Sequence, residues 1–140
     1  MTTVLFACVH NAGRSQIAAA LFNRYADPAR AHAISAGTNP ATHVHPEVLA
    51  MMRTRAVDLS GQTPQKLTPE LASTAQWLIT MGCGDQCPFV PGAIVEDWPL
   101  QDPKGQPPMI VSQIVDDIDR RVRDLLARLS PPAEIGRAHV

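Results

Sequence analysis

The chain has 140 residues, a formal net charge of -1 and an aromatic content of 4%, which suits a single domain with one core. It carries no basic run interleaved with aromatic side chains and no apolar span long enough to cross a bilayer, which argues against nucleic-acid binding and against a membrane span. Three cysteines, Cys8, Cys83 and Cys87, and no basic-then-apolar leader before Val4 predict a cytoplasmic protein whose thiols serve chemistry rather than a disulfide framework.

The apolar run Thr3 to Ala7 reads as a first strand, buried on both faces. After Cys8-Val9-His10-Asn11-Ala12-Gly13-Arg14, the apolar positions Ile17, Ala18, Leu21 and Phe22 predict a helix from Ser15 to about Tyr25, stopped by Asp27-Pro28. His32 to Ala36 is a second strand, closed by Gly37-Thr38-Asn39-Pro40. Pro46 opens a second helix, with Val48, Leu49, Met51 and Met52 on its apolar face up to about Arg55. Val57 to Gly61 reads as extended, and Thr68 suits the cap of a short helix.

Trp77 to Met81 is a third strand, ending at Gly82 and opening the segment that holds Cys83 and Cys87. A shorter fourth strand, Ala93 to Val95, leads into Glu96-Asp97-Trp98-Pro99-Leu100-Gln101-Asp102-Pro103. The last helix runs from about Met109 to Leu129, with Ile110, Ile114, Ile118, Val122, Leu125, Leu126 and Leu129 on one face. Its Asp116, Asp117, Asp119, Arg120, Arg121 and Arg123 form a solvated face with i, i+4 pairing. Trp77 and Trp98 are expected in the core or at the mouth of a crevice. Alternating strands and helices predict an α/β fold: a four-stranded parallel sheet with helices on both faces, in a flavodoxin-like three-layer arrangement. Residues 1–130 form one domain in this reading, and 131–140, which lack the helical pattern, a flexible tail.

The run from Cys8 to Ser15 carries the chemistry. A short loop between a strand and a helix can wrap a tetrahedral anion in backbone N–H groups, here those of Val9, His10, Asn11, Ala12, Gly13 and Arg14, with the helix N-terminus adding positive potential. The Arg14 guanidinium adds a planar fork for two oxygens, and the same field favours Cys8 as a thiolate. Ser15 can donate to that sulfur, Asn11 tolerates left-handed torsions and Gly13 permits close approach to the ligand. A cysteine and an arginine at this spacing are also compatible with a buried strand end and a surface helix. Their place at the first strand-to-helix turn, where open parallel sheets form their crevice, favours the anion site.

Three segments together resemble the low-molecular-weight protein tyrosine phosphatase superfamily and the arsenate reductases built on its fold. These are Cys8 to Ser15; Ser35-Ala36-Gly37-Thr38 with the Pro46 helix and Val57-Asp58-Leu59-Ser60; and Asp97 to Pro103. The resemblance implies Cys8 as nucleophile, Arg14 as oxyanion clamp, Ser15 as thiolate stabiliser and Asp102 as general acid. Phosphatases of this type place tyrosines after the Asp-Pro pair, whereas this chain reads Lys104-Gly105-Gln106 and holds its one tyrosine at position 25.

The arsenate reductase resemblance implies a thiol–arsenate adduct on Cys8, resolved by Cys83, with Cys87 taking over the disulfide. Cysteines four apart lie about 6 Å apart at Cα if helical, within disulfide range. The compact Cys83-Gly84-Asp85-Gln86-Cys87 spacing resembles the actinobacterial branch, some of whose members use mycothiol. No tightly bound cofactor is implied; the partners are arsenate, with phosphate or sulfate as mimics, and an external thiol reductant, either thioredoxin or mycothiol with mycoredoxin. Two departures stand out: Ala19, where some relatives hold a potassium-binding glutamate, and His10, where phosphatases commonly have glycine.

Three readings remain open: an arsenate reductase, a low-molecular-weight tyrosine phosphatase, and an oxyanion-binding or redox-sensing module without turnover. Cys83 and Cys87 with His43 and His45 offer zinc-type ligands, but the spacing is loose and Pro46 accounts for His45, so no metal is expected.

Overall fold

The first apolar run forms β1 (Thr2–Cys8), and its position in the middle of the sheet explains why it has no polar alternation. The structure is a computed structural model that describes residues 1–82 and 91–129. In it β1 pairs in parallel with β2 (Ala31–Gly37) on one side and β3 (Trp77–Met81) on the other, and β3 pairs with β4 (Ile94–Asp97). The strand order is β2-β1-β3-β4. Direction of travel across the sheet reverses between β1 and β3, so the crevice of a doubly wound sheet falls at their carboxyl ends. Cys8 stands there, opposite Gly37 on one side and Met81 on the other.

Successive side chains of a strand alternate between faces, and the core divides accordingly. Val4, Phe6, Ile79 and Met81 join one cluster, packed with α1 (Arg14–Tyr25), α2 (Pro46–Thr54) and α4 (Pro108–Leu129). Leu5, Ala7 and Leu78 join the other, covered by α3 (Pro69–Ala72) and its flanks. The three-layer expectation holds, with a thick helical layer on one face and a thin one on the other. Phe6 is flanked by Phe22 and Trp98 at ring separations of 6.0 and 5.5 Å. On α4 the buried residues Val111, Ile114, Val115, Ile118, Val122 and Leu125 follow the helical period.

Several boundaries differ from the sequence reading. α1 begins at Arg14, not Ser15, so the guanidinium-bearing residue is itself the first of the helix. The fourth strand is Ile94–Asp97 rather than Ala93–Val95, because its register is set by pairing with β3 from Trp77↔Ile94 to Thr80↔Asp97. Val57 to Gly61 joins no strand; a turn starts at Ser60, whose N–H is accepted by Asp58 Oδ1 at 2.9 Å. Thr68 caps α3 as expected, accepting the Leu71 N–H at 3.1 Å. Trp98 lies in the core, whereas Trp77 is half-buried with the Arg128 guanidinium 5.7 Å from its ring centroid.

The charged face of α4 pairs at i, i+4 through Asp117–Arg121 at 3.0 Å and Asp119–Arg123 at 2.9 Å. Exposed pairs of this kind contribute little to stability. Among the described residues no helix is long and apolar enough to cross a membrane. Residues 130–140, including all of the expected tail, lie outside the described residues.

Candidate active site

The loop from β1 to α1 is held open by bonds to its carbonyls. Those of Cys8, Val9, His10 and Ala12 accept N–H groups from Thr38, Asn39, Ala41 and His45 at 3.2, 2.7, 2.9 and 2.9 Å. That of Asn11 accepts Gln16 Nε2 at 3.1 Å, and that of Gly13 accepts the Ile17 N–H at 2.9 Å. In a trans peptide the N–H opposes the C=O. With these carbonyls turned outward, the amides of Val9 to Arg14 are left to face the loop interior. Such a ring of donors has the chemistry to cradle an anion. The N-terminus of α1 adds to it: Gly13 is the cap residue, no side chain caps the helix and its first turn holds no acid.

The sulfur of Cys8, a residue only 2% exposed, lies at the base of this ring. It accepts the Asn11 N–H at 3.2 Å and lies 2.9 Å from Ser15 Oγ. Asn11 Nδ2 donates to the same Ser15 Oγ at 2.7 Å. The Gln65 backbone N–H, which can only donate, reaches Asn11 Oδ1 at 2.9 Å and so fixes which end of the amide faces Ser15. Toward a thiolate, which only accepts, the Ser15 hydroxyl is then the donor. Asn11 adopts φ 51°, the left-handed conformation expected for it.

Arg14 projects across the mouth, its side chain 12% exposed. One guanidinium nitrogen donates to the Leu100 carbonyl at 3.1 Å, and another lies 3.8 Å from Asp102 Oδ2. Asp102 is more open, 44% exposed, and its other oxygen accepts the Lys104 N–H at 3.0 Å. The loop carrying it is tied down by Glu47, whose Oε2 accepts the Gly105 N–H at 2.8 Å. Bonding to its own backbone N–H at the start of α2, and secondarily to that of Gly105, holds the Glu47 carboxyl below its usual value. His45, just before α2, is held below the usual imidazole value by burial, against the opposing fields of Asp102 and Glu47.

Cys8, Asn11, Arg14, Ser15 and Asp102 thus converge at the carboxyl end of the sheet. Cys83 and Cys87 lie outside the described residues, and no position is assigned to them. The reading of Gly13 changes: a Cβ there would lie 2.9 Å from Pro103 Cγ and 3.5 Å from His45 Cδ2. The missing side chain makes room for the Asp102-Pro103 loop. His10 turns its Nδ1 to the Asn39 carbonyl at 3.0 Å and, because a carbonyl only accepts, carries its proton there.

A family model described as low molecular weight phosphotyrosine protein phosphatase matches residues 3–134. The chain belongs to this family. Within it, the chain is 37% identical over 130 residues to a putative arsenate reductase of Halobacterium salinarum, covering 90% of this chain and 92% of that one. It is 33% identical over 133 residues to the glutaredoxin arsenate reductase of Synechocystis, covering 93% of this chain and all of the relative. Among solved structures, the thioredoxin-dependent arsenate reductase of Corynebacterium glutamicum superposes with a TM-score of 0.78 at 41% identity over 93% of this chain. The chain spans 62% of that structure's length.

Other positions that shape this family member's site carried weaker sequence signals. Gly82, at φ 85°, faces Arg14: a Cβ would sit 2.7 Å from a guanidinium nitrogen. Gly37 faces the loop in the same way, with Val9 O 2.6 Å and Asn11 N 2.9 Å from a notional Cβ. Each glycine ends an apolar strand, which signals a turn but not what approaches it. Gln16 is buried beside Asn11, and its polar type amid Ile17, Ala18 and Ala19 is the available hint.

Proposed function

We propose that the protein is an arsenate reductase, converting arsenate to arsenite through an adduct on Cys8. The observation that carries the reading is the Cys8 sulfur, held by donors from Asn11 and Ser15 at the base of an amide ring that Arg14 covers. Similarity to arsenate reductases across nine-tenths of the chain supports arsenate as the oxyanion. The aromatic side chains support it too. Phe6, Phe22 and Trp98 are packed in the core, Trp77 begins β3 at the opposite end of the sheet, and Tyr25 pairs with Asp119 of α4. Among the described residues the mouth therefore lacks the aromatic wall that would grip an aryl phosphate, while a small inorganic oxyanion needs none.

In this mechanism the amides of Val9 to Arg14 and the Arg14 fork bind the arsenate oxygens. The Cys8 thiolate attacks arsenic; Asp102 gives a proton to the departing oxygen, which leaves as water. Ser15 and Asn11 hold the sulfur on line. A second thiolate, assigned to Cys83, attacks the Cys8 sulfur: an S–S bond forms, the S–As bond breaks, and its electron pair stays on arsenic, now arsenite. Cys87 receives the disulfide, and an external thiol, thioredoxin or mycothiol with mycoredoxin, reduces it. A cycle that draws on such reductants suits the cytoplasm, where they are kept.

Steady-state arsenate reduction, coupled in turn to thioredoxin with its reductase and to mycothiol with mycoredoxin, tests this reading on the wild type and on Cys8→Ser, Cys83→Ser and Cys87→Ser. Arsenate-dependent oxidation that Cys8→Ser abolishes is expected with one of the two systems. Oxidation with neither, alongside efficient aryl phosphate hydrolysis, overturns it.

A further inference from the structure

We infer that Gln16 is a positioning residue for the Cys8 sulfur, acting through Asn11; this deepens the proposed function and rests on Cys8 as its nucleophile. Gln16 is 4% exposed on the first turn of α1. Its Nε2 donates to both oxygens of Asn11, the backbone carbonyl at 3.1 Å and Oδ1 at 3.3 Å. The Gln65 N–H adds a second donor at Oδ1, 2.9 Å away.

The two contacts on Asn11 Oδ1 thus fix where its side-chain nitrogen points. Its backbone N–H reaches Cys8 Sγ at 3.2 Å, and its Nδ2 reaches Ser15 Oγ at 2.7 Å, which leaves the hydroxyl proton to point at the sulfur 2.9 Å away. Asn11 is itself in the left-handed region at φ 51°, a conformation that persists where surrounding bonds over-determine it. A methionine of similar length would fill the same space, so the distinctive contribution of Gln16 is its donor. Without it the Asn11 carbonyl loses its partner inside the core and the Asn11 side chain keeps only the Gln65 N–H at Oδ1, so the Nδ2 that turns the Ser15 hydroxyl toward the sulfur loses its aim.

Alkylation of Cys8 by iodoacetamide reads this directly in a Cys83→Ser, Cys87→Ser background, where Cys8 is the only thiol. With far-UV circular dichroism unchanged, Gln16→Met is expected to slow alkylation at neutral pH by about tenfold, the scale of a lost bond to a charged group, and to displace the pH profile upward. Gln16→Glu keeps the shape but sets an acceptor against two acceptors, so its loss is larger; it carries the same test if Gln16→Met does not fold. In an Asn11→Ala background, which removes the side-chain amide and keeps the backbone carbonyl, Gln16→Met should cost clearly less than it does alone. A wild-type profile in either folded variant, or losses that multiply in the double variant, overturns the inference. Alkylation needs no arsenate, so failure here is distinct from an absence of arsenate turnover in the unaltered protein, which would overturn the functional reading instead.

Discussion

Cys8 and Asp102 face each other across Arg14 and are held in opposite ways. Cys8 is buried among Asn11, Ser15 and Gln16, all at or below 4% exposure, and bonded from two directions. The Asp102 side chain is 44% exposed, accepts one backbone N–H and sits 3.8 Å from the guanidinium, on a loop fixed by Glu47–Gly105 and by the seat of Pro103 over Gly13. The proposed nucleophile is preorganised by the resting fold, whereas the proposed acid is held by fewer bonds and is more open to solvent. That division suits the chemistry: the attacking atom must be aligned before substrate arrives, while the leaving oxygen is defined only once the anion is bound.

Substitutions on the two sides should therefore differ in size and kind. The largest effect is expected for Cys8→Ser, which should abolish arsenite formation, a loss on the order of 10⁴-fold or more, while phosphate binding measured by calorimetry survives. Asp102→Asn should lower kcat by about 10²–10⁴-fold, the usual contribution of a general acid, and leave Cys8 alkylation unchanged. Next comes Gly82→Ala, which brings a Cβ to within 2.7 Å of Arg14 at a φ of 85°. A displaced Arg14 fork should raise KM for arsenate about tenfold, the cost of a lost charge-assisted pair. Glu47→Gln, which weakens the tie to Gly105, should lower kcat only a few-fold, and alkylation again should not respond.

The smallest effect is one of stability. Burial lowers the folded-state value of His45 below the ordinary 6.5, so the unfolded chain binds more protons in that range. Stability is then fully present above about pH 6.5 and falls as pH drops below it. Urea midpoints compared at about pH 7.5 and 5.5 should show this, and His45→Gln should flatten the slope.

The sequence was most legible where one local pattern decides the outcome. The unbroken apolar run to Ala7 could only be a central strand, and Pro46 and Thr68 marked helix starts that the structure confirms. Convergence of Asp102 on Arg14, 88 positions apart in the chain, was accessible only through resemblance, since spacing gives no sign of it. Gly13 shows a different shortfall. Its lack of a side chain was evident, yet what fills the space is Pro103, a long-range contact that no local pattern encodes. The start of α1 was misplaced by one residue because Arg14 looks like loop until its backbone is seen to be helical. Gln16 escaped notice for the same reason: its partner is a main-chain carbonyl, which has no signature in a sequence.

The most direct measurement is arsenite formed per chain in one reduced preparation supplied with arsenate and a thiol reductant, set beside hydrolysis of an aryl phosphate by that preparation. Sustained arsenite release that disappears in Cys8→Ser, with phosphate acting as a competitor, is the predicted result. Efficient phosphate ester hydrolysis with no arsenite above the protein-free control would contradict it.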